Sequence, residues 1–311
     1  MIPLGRALVS WLSALAALMG VACSFQVNRA SNEDELPITH VPAAPAVEGA
    51  RSAQRFVIIG DYGASGPNEA KIANLARGFL PDFIITTGDN NYPLGAAETI
   101  DENVGLYFHE FIAPYRGAFG RGASENRFFP SLGNHDWDSL EAKPYLDYFS
   151  LPSNERHYDF VRGPVQLFAL DSDPREPDGT DFDSVQGRWL RQRLLASTAA
   201  FRVVYFHHPP YSSGPHGSTL GMRWPFQEWG AAVVYAGHDH AYERFDIDGF
   251  PYVVNGAGGN ELYQFANSSP GSVVRAGGVH GLVLVSVTET ELVSRFLDAR
   301  GVELDALRLT R

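Results

Sequence analysis

Cysteine is almost absent from this chain: Cys23 is the only one among 311 residues. An intramolecular disulfide is therefore excluded, and so is a metal site built on paired thiolates. Basic residues are also scarce, with 24 Lys and Arg against 36 Asp and Glu, for a formal net charge of −12. That balance excludes nucleic acid as a partner, because no basic stripe is available to meet its phosphates. An anionic small substrate would need a local positive centre in so acidic a chain. Charged residues at 19% and hydrophobic residues at 44% describe a globular protein with length enough for a sizeable core. No internal repeat occurs.

Long apolar runs are lacking except at the start. There "ALVSWLSALAALMGVAC", ending at Cys23, follows a lone Arg6, which reads as an export signal over residues 1–23. A sole cysteine directly after "GVA" fits a bacterial lipoprotein site, with simple secretion and an uncleaved membrane anchor as the alternatives. All three readings put the folded part outside the cytoplasm, and contact with a membrane is expected only through this N-terminal anchor. Residues 24–54 mix charge, Pro and Ala without periodicity and are expected to form a flexible tether. From Arg55 to the C-terminus, apolar runs such as "FVIIG", "DFIITTG", "RVVYFH" and "AAVVYAG" alternate with helix-like stretches, the rhythm of an α/β domain. A helix is expected around Val104–Ile112. The tail, "GLVLVSVTETELVSRFLDARGVELDALRL", alternates as antiparallel strands do, so a sandwich of mixed sheets fits better than a purely parallel one.

Five apolar runs end in residues able to bind metal. They lead to Asp61 in "GDYG", to Asp89 and Tyr92 in "GDNNY", to Asn134 and His135 in "GNHD", to His207 in "HHPPY", and to His238 and His240 in "GHDH". Ligands in open α/β sheets bind beyond the carboxyl ends of strands, so five such ends in one sheet would bring these groups to one edge. Taken singly, each motif has an ordinary explanation. A Gly-Asp after a strand is most often a turn, Asn134 suits an Asx-turn, and Tyr92 suits a half-buried tyrosine. Turns do not, however, require two Asp, one Asn, one Tyr and three His at five equivalent positions. Oxygen and imidazole donors without thiolate suit harder or borderline cations, and seven are too many for one tetrahedral zinc. The set therefore suits two metals, which would also supply the positive centre an anionic substrate needs. His208, beside His207, is set aside as a spectator, and His40, His109, His157 and His280 as structural or surface residues. On strand alternation His238 and His240 would share one side, with Asp239 turned away.

In order and spacing these five blocks resemble those of the purple acid phosphatases, within the calcineurin-like metallophosphoesterases. The tyrosine of the second block is the most specific mark, and the similarity runs from about Phe56 to the C-terminus. Lacking a separate N-terminal β-domain, the chain is similar to the small, tartrate-resistant form, although "HAYER" looks like the block of the large plant form. The resemblance implies a four-layer αββα sandwich. It implies Fe(III) held by Asp61, Tyr92 and His240, a divalent ion (Fe, Zn or Mn) held by Asn134, His207 and His238, and Asp89 bridging the two. His135, and His216 nine residues after His207, would face the substrate phosphate. The implied reaction is hydrolysis of a small phosphate monoester by metal-activated hydroxide attacking phosphorus in line, with the histidines helping to protonate the leaving alcohol. Two other readings stand beside it. One is a phosphodiesterase or nucleotide pyrophosphatase with Mn or Zn in both positions, and the other a non-catalytic surface lipoprotein that merely retains the fold.

Overall fold

The computed structural model describes residues 53–311. The expected export signal, most of the expected tether and His40 lie outside the described residues. Three parallel strands, β1 (Gln54–Ile59), β2 (Phe83–Thr86) and β3 (Phe128–Pro130), begin one sheet. Gln54, the last residue of the expected tether, already belongs to β1 and pairs with Val287. The chain then builds a second sheet from β4 (Tyr158–Arg162), β5 (Val165–Ala169), β6 (Phe201–Tyr205) and β7 (Val233–Ala236). That sheet is completed by β8 (Tyr242–Ile247), β9 (Phe250–Asn255) and β10 (Ser272–Ala276). Finally β11 (Gly281–Val287), β12 (Glu291–Asp298) and β13 (Glu303–Thr310) return antiparallel to the first sheet against β1. The orders are β13-β12-β11-β1-β2-β3 and β10-β8-β9-β7-β6-β5-β4, both mixed.

Side-chain alternation makes the layers. Phe56 and Ile58 of β1 pack with Val203, Tyr205, Val233 and Tyr235 of the second sheet in the core between the sheets. Val57 and Ile59 turn the other way, onto Ile72, Ala73 and Ala76 of the helix Pro67–Gly78. Val204 and Val234 likewise turn outward onto Leu190 and Leu194 of the helix Val185–Ala196. Helix, sheet, sheet, helix is the four-layer order, and burial on both faces explains why the strands read as continuous apolar runs. Each such side chain stabilises the fold by about 1.5–3 kcal/mol. The segment Asp101–Phe111 is helical in three short pieces, close to the expected helix.

One expectation is corrected. The five motif-bearing strand ends do not share a sheet: β1, β2 and β3 lie in the first, β6 and β7 in the second. They meet because the sheets stack face to face with these ends at the same edge, and a run buried on both faces carries no sign of which sheet it joins.

Glu69, in the first turn of the helix Pro67–Gly78, is 1% exposed, and neither carboxyl oxygen completes a hydrogen bond. Burial raises its pKa well above the ordinary 4.5. Its contribution to stability is therefore complete below that value and is lost as pH rises through the folded-state pKa. Glu69→Gln is expected to raise the Tm by about 2–4 °C near pH 8, with the gain vanishing near pH 4; equal shifts at both pH values would refute the assignment.

Candidate metal centre

Asp61 follows β1 with a left-handed backbone, φ 55°, and Asp89 follows β2 at φ 52°. Such angles cost an ordinary residue about 1–2 kcal/mol and cluster where function needs the geometry. Both carboxylates are buried. Asp61 Oδ1 lies 3.3 Å from the Tyr92 hydroxyl and 3.4 Å from His240 Nε2, and its Oδ2 accepts the His238 N–H at 2.9 Å. Tyr92 donates to Asp89 Oδ2 at 2.9 Å and is 3.1 Å from His240 Nε2. His240 Nδ1 is 2.6 Å from the Glu261 carbonyl. A carbonyl only accepts, so Nδ1 carries the hydrogen and Nε2 turns a lone pair inward.

The second group mirrors the first. His207 Nδ1 donates to the Thr87 carbonyl at 2.8 Å, which leaves the lone pair on Nε2. That atom stands 3.0 Å from Asn134 Oδ1, 3.1 Å from His238 Nδ1 and 3.3 Å from Asp89 Oδ2. Asp89 thus touches both groups. Donors about 2.0–2.3 Å from a shared cation stand roughly 3 Å apart, which is the spacing found here. Lone pairs facing carboxylate and amide oxygens repel unless something positive lies among them, so the donor set fits two cations.

The electrostatics agree. Burial pushes the His207 imidazole down, but Asp89 and Asp61 beside it raise it to about 10. Burial likewise opposes ionisation of Asp89, yet His207 and His135 hold its carboxyl below the usual carboxylate range. A proton held between His207 and Asp89 supplies positive charge at the place a cation would otherwise take. Tyr92 is pushed well above the usual phenol value by burial and by Asp61 and Asp89, so only a strong cation would draw a tyrosinate from it.

His238 and His240 are not on a strand, as alternation suggested, but in the turn between β7 and β8, where His238 has φ 71°. The turn sends His238 to His207 and His240 to Tyr92. Asp239 turns away from both and accepts the His216 N–H at 3.0 Å and the Ser212 hydroxyl. His208 is closer than a spectator, its ring 4.5 Å from that of His238 and its Nδ1 2.9 Å from Ser172 Oγ. His135 is anchored by its Nδ1 on the Pro93 carbonyl at 2.6 Å and by its N–H on Asp89 Oδ1 at 2.9 Å, with Nε2 on the Asp89 side. The His216 ring is 4.2 Å from that of His238.

Sequence reasoning missed the support around this cluster. Asp136 accepts from the amides of Asn90 and Gly133 and from the Asn90 side chain, fixing the turns that carry Asp89 and Asn134. Arg175 donates to the Asn134 carbonyl at 2.9 Å and to Asp138 at 3.0 Å. The loop after β9 adds Asn260, whose N–H donates to the Asp61 carbonyl at 3.1 Å, and Tyr263, stacked on His240. A signal for that loop existed: "FPYVVNGAGG" is a sixth apolar run ending in a Gly-rich turn, and β9 runs parallel to β7 toward the same edge. Among the described residues no helix is long and apolar enough to cross a membrane.

The sequence pattern of the calcineurin-like phosphoesterase family matches residues 54–242. The human tartrate-resistant acid phosphatase type 5 is 24% identical over 85% of this chain and 93% of its own length. Purple acid phosphatase 17 of Arabidopsis thaliana is 26% identical over 80% of each chain. Among solved structures, the purple acid phosphatase PPD1 from yellow lupin seeds superposes with a TM-score of 0.69 at 18% identity, covering 86% of this chain and 55% of that one. GAP50, the anchor in the inner membrane complex of Plasmodium, superposes at 0.67 with 16% identity, covering 84% and 89%. With the turns that carry Asp61, Asp89, Asn134, His207 and His240 falling inside the matched stretch, the chain belongs to the calcineurin-like phosphoesterases and is a phosphoester hydrolase.

Proposed function

We propose that the protein is an exported acid phosphatase that hydrolyses small phosphate monoesters at a dinuclear metal centre. The observation that carries this reading is the pair of donor groups joined by Asp89, whose Oδ2 lies 2.9 Å from the Tyr92 hydroxyl and 3.3 Å from His207 Nε2. Asp61, Tyr92 and His240 would hold Fe(III); Asn134, His207 and His238 would hold a divalent ion, with Asp89 between them. Bound there, two cations supply Lewis-acid charge to phosphoryl oxygens and make a water molecule easier to deprotonate. His135, its Nδ1–H held by the Pro93 carbonyl, would in its doubly protonated form donate Nε2–H on the pocket side to a phosphate oxygen and pass that proton to the leaving alcohol. His216 offers a second imidazole beside His238. The similarity to the human and Arabidopsis phosphatases over most of the chain favours monoesters over diesters. Export rests on the N-terminal segment "ALVSWLSALAALMGVAC".

Metal analysis with a visible spectrum tests the centre. About two metals per chain, one of them iron, and a violet tyrosinate-to-iron band are expected, and Tyr92→Phe should lose the band while retaining most of the fold. A colourless wild type with full iron occupancy would sink the iron–tyrosinate pairing. A parallel assay of nitrophenyl phosphate and its bis ester tests the substrate class; faster turnover of the diester would move the reading to the phosphodiesterases.

A further inference from the structure

His216 is the exposed member of the site histidines. Its backbone is well held, because the loop Ser212–Gly217 wraps on Asp239: the His216 N–H donates to Asp239 Oδ1 at 3.0 Å, and a Cβ on Gly214 would fall 2.2 Å from Asp239 Cγ. Those contacts fix where the loop runs, and the His238 ring at 4.2 Å bounds the imidazole on one side without fixing its rotation. An exposed imidazole free to rotate would meet a ligand in several orientations and lose affinity by that disorder.

Tyr263 supplies the missing constraint. Its hydroxyl lies 3.3 Å from His216 Nε2. The Tyr263 backbone is held on both sides: its N–H donates to the His240 carbonyl at 2.9 Å, and its carbonyl accepts from Gly278 at 3.0 Å. The phenol ring lies parallel to His240 at 4.3 Å, with 8° between the planes. One side chain thus leans on the imidazole grouped with Tyr92 and reaches the one beside His238. A phenol hydroxyl both donates and accepts, so it can hold His216 whether the imidazole is neutral or protonated.

We propose that Tyr263 is a positioning residue, setting the His216 imidazole over the pocket so that it meets a phosphate oxygen in a single orientation. The inference rests on the hydrolytic reading above. It is tested with the metal-loaded full chain in four forms: wild type, Tyr263→Phe, His216→Ala and the double variant. Inorganic phosphate binding is measured by calorimetry, and kcat and KM on nitrophenyl phosphate. Tyr263→Phe is expected to weaken phosphate about fivefold and lower kcat/KM about five- to tenfold, the scale of one hydrogen bond, with metal content unchanged. In the His216→Ala background the same substitution should change neither quantity, because the ring it positions is gone. Equal factors in both backgrounds, a Phe variant indistinguishable from wild type, or loss of metal in the Phe variant would each overturn the proposal. Coupled phosphate binding without turnover of any monoester would leave the positioning role standing and remove the monoesterase reading. No phosphate binding by the metal-loaded wild type would remove both.

Discussion

Asp89→Asn is expected to lower kcat/KM on phosphate esters roughly a thousandfold, about 4 kcal/mol of barrier, and to cut the metal content from about two per chain to one or fewer. The substitution keeps shape and removes charge. The amide oxygen can still accept the His135 N–H that now reaches Asp89 Oδ1 at 2.9 Å. What changes is the other end, where Oδ2 faces both the Tyr92 hydroxyl and His207 Nε2. An amide there can serve one group with its oxygen or present hydrogens to both, but it cannot place negative charge between two cations. Removing a ligand from one group alone, as in Asn134→Ala, leaves the other group's donors intact. Asp89 has no such redundancy, and its loss should exceed that of any single-group ligand. Circular dichroism serves as the control, because Asp89 lies outside the three apolar clusters that hold the layers together. Two metals and turnover within tenfold of wild type in Asp89→Asn would contradict a shared centre.

The site was legible in the sequence to the extent that its residues sit next to apolar runs. Asp61, Asp89, Asn134, His207 and His238 each follow a strand within four residues, so a local pattern marks them. The pairing of the strands into two sheets was not legible. Ile58 and Val203 meet in one core while Val57 and Val204 face different helices, and a doubly buried run looks the same in either sheet. Residues brought in by loops were less visible still. His216 and Tyr263 are 47 positions apart and meet through two loops, and Asp136 acts on Asn90 across 46 positions. Such contacts follow from the stacking of the sheets, which short-range periodicity does not encode. The turn at His238 shows the same limit on a smaller scale: alternation put two histidines on one side, and a left-handed φ of 71° sends them to different groups.

Gly133→Ala should be nearly as damaging as Asp89→Asn, although glycine binds nothing. Gly133 has φ −120° and ψ 177°, an extended conformation any residue adopts, so backbone freedom is not what the position demands. Room is. A Cβ there would lie 2.2 Å from Asp89 Oδ1 and 2.3 Å from the Asp89 backbone nitrogen. Rotating the Asp89 side chain relieves the first contact only by withdrawing the carboxylate from the centre, and it leaves the second untouched. The turn carrying Asn134 must then move away from the turn carrying Asp89, against the hydrogen bond from the Gly133 N–H to Asp136 Oδ2 at 2.9 Å. Overpacking of this kind costs about 1–3 kcal/mol of stability, which a domain with three apolar clusters tolerates. The metal groups tolerate less, since displacements near 1 Å cost on the order of a hundredfold in rate. The expected variant is therefore folded, poorly metallated and at least about a hundredfold slower. Gly78→Ala is the control: a Cβ there meets nothing within 4 Å, and its activity should match wild type. If Gly133→Ala retained its metals and its rate, the two turns would not be packed as closely as this geometry requires, and the shared position of Asp89 between the donor groups would lose its structural basis.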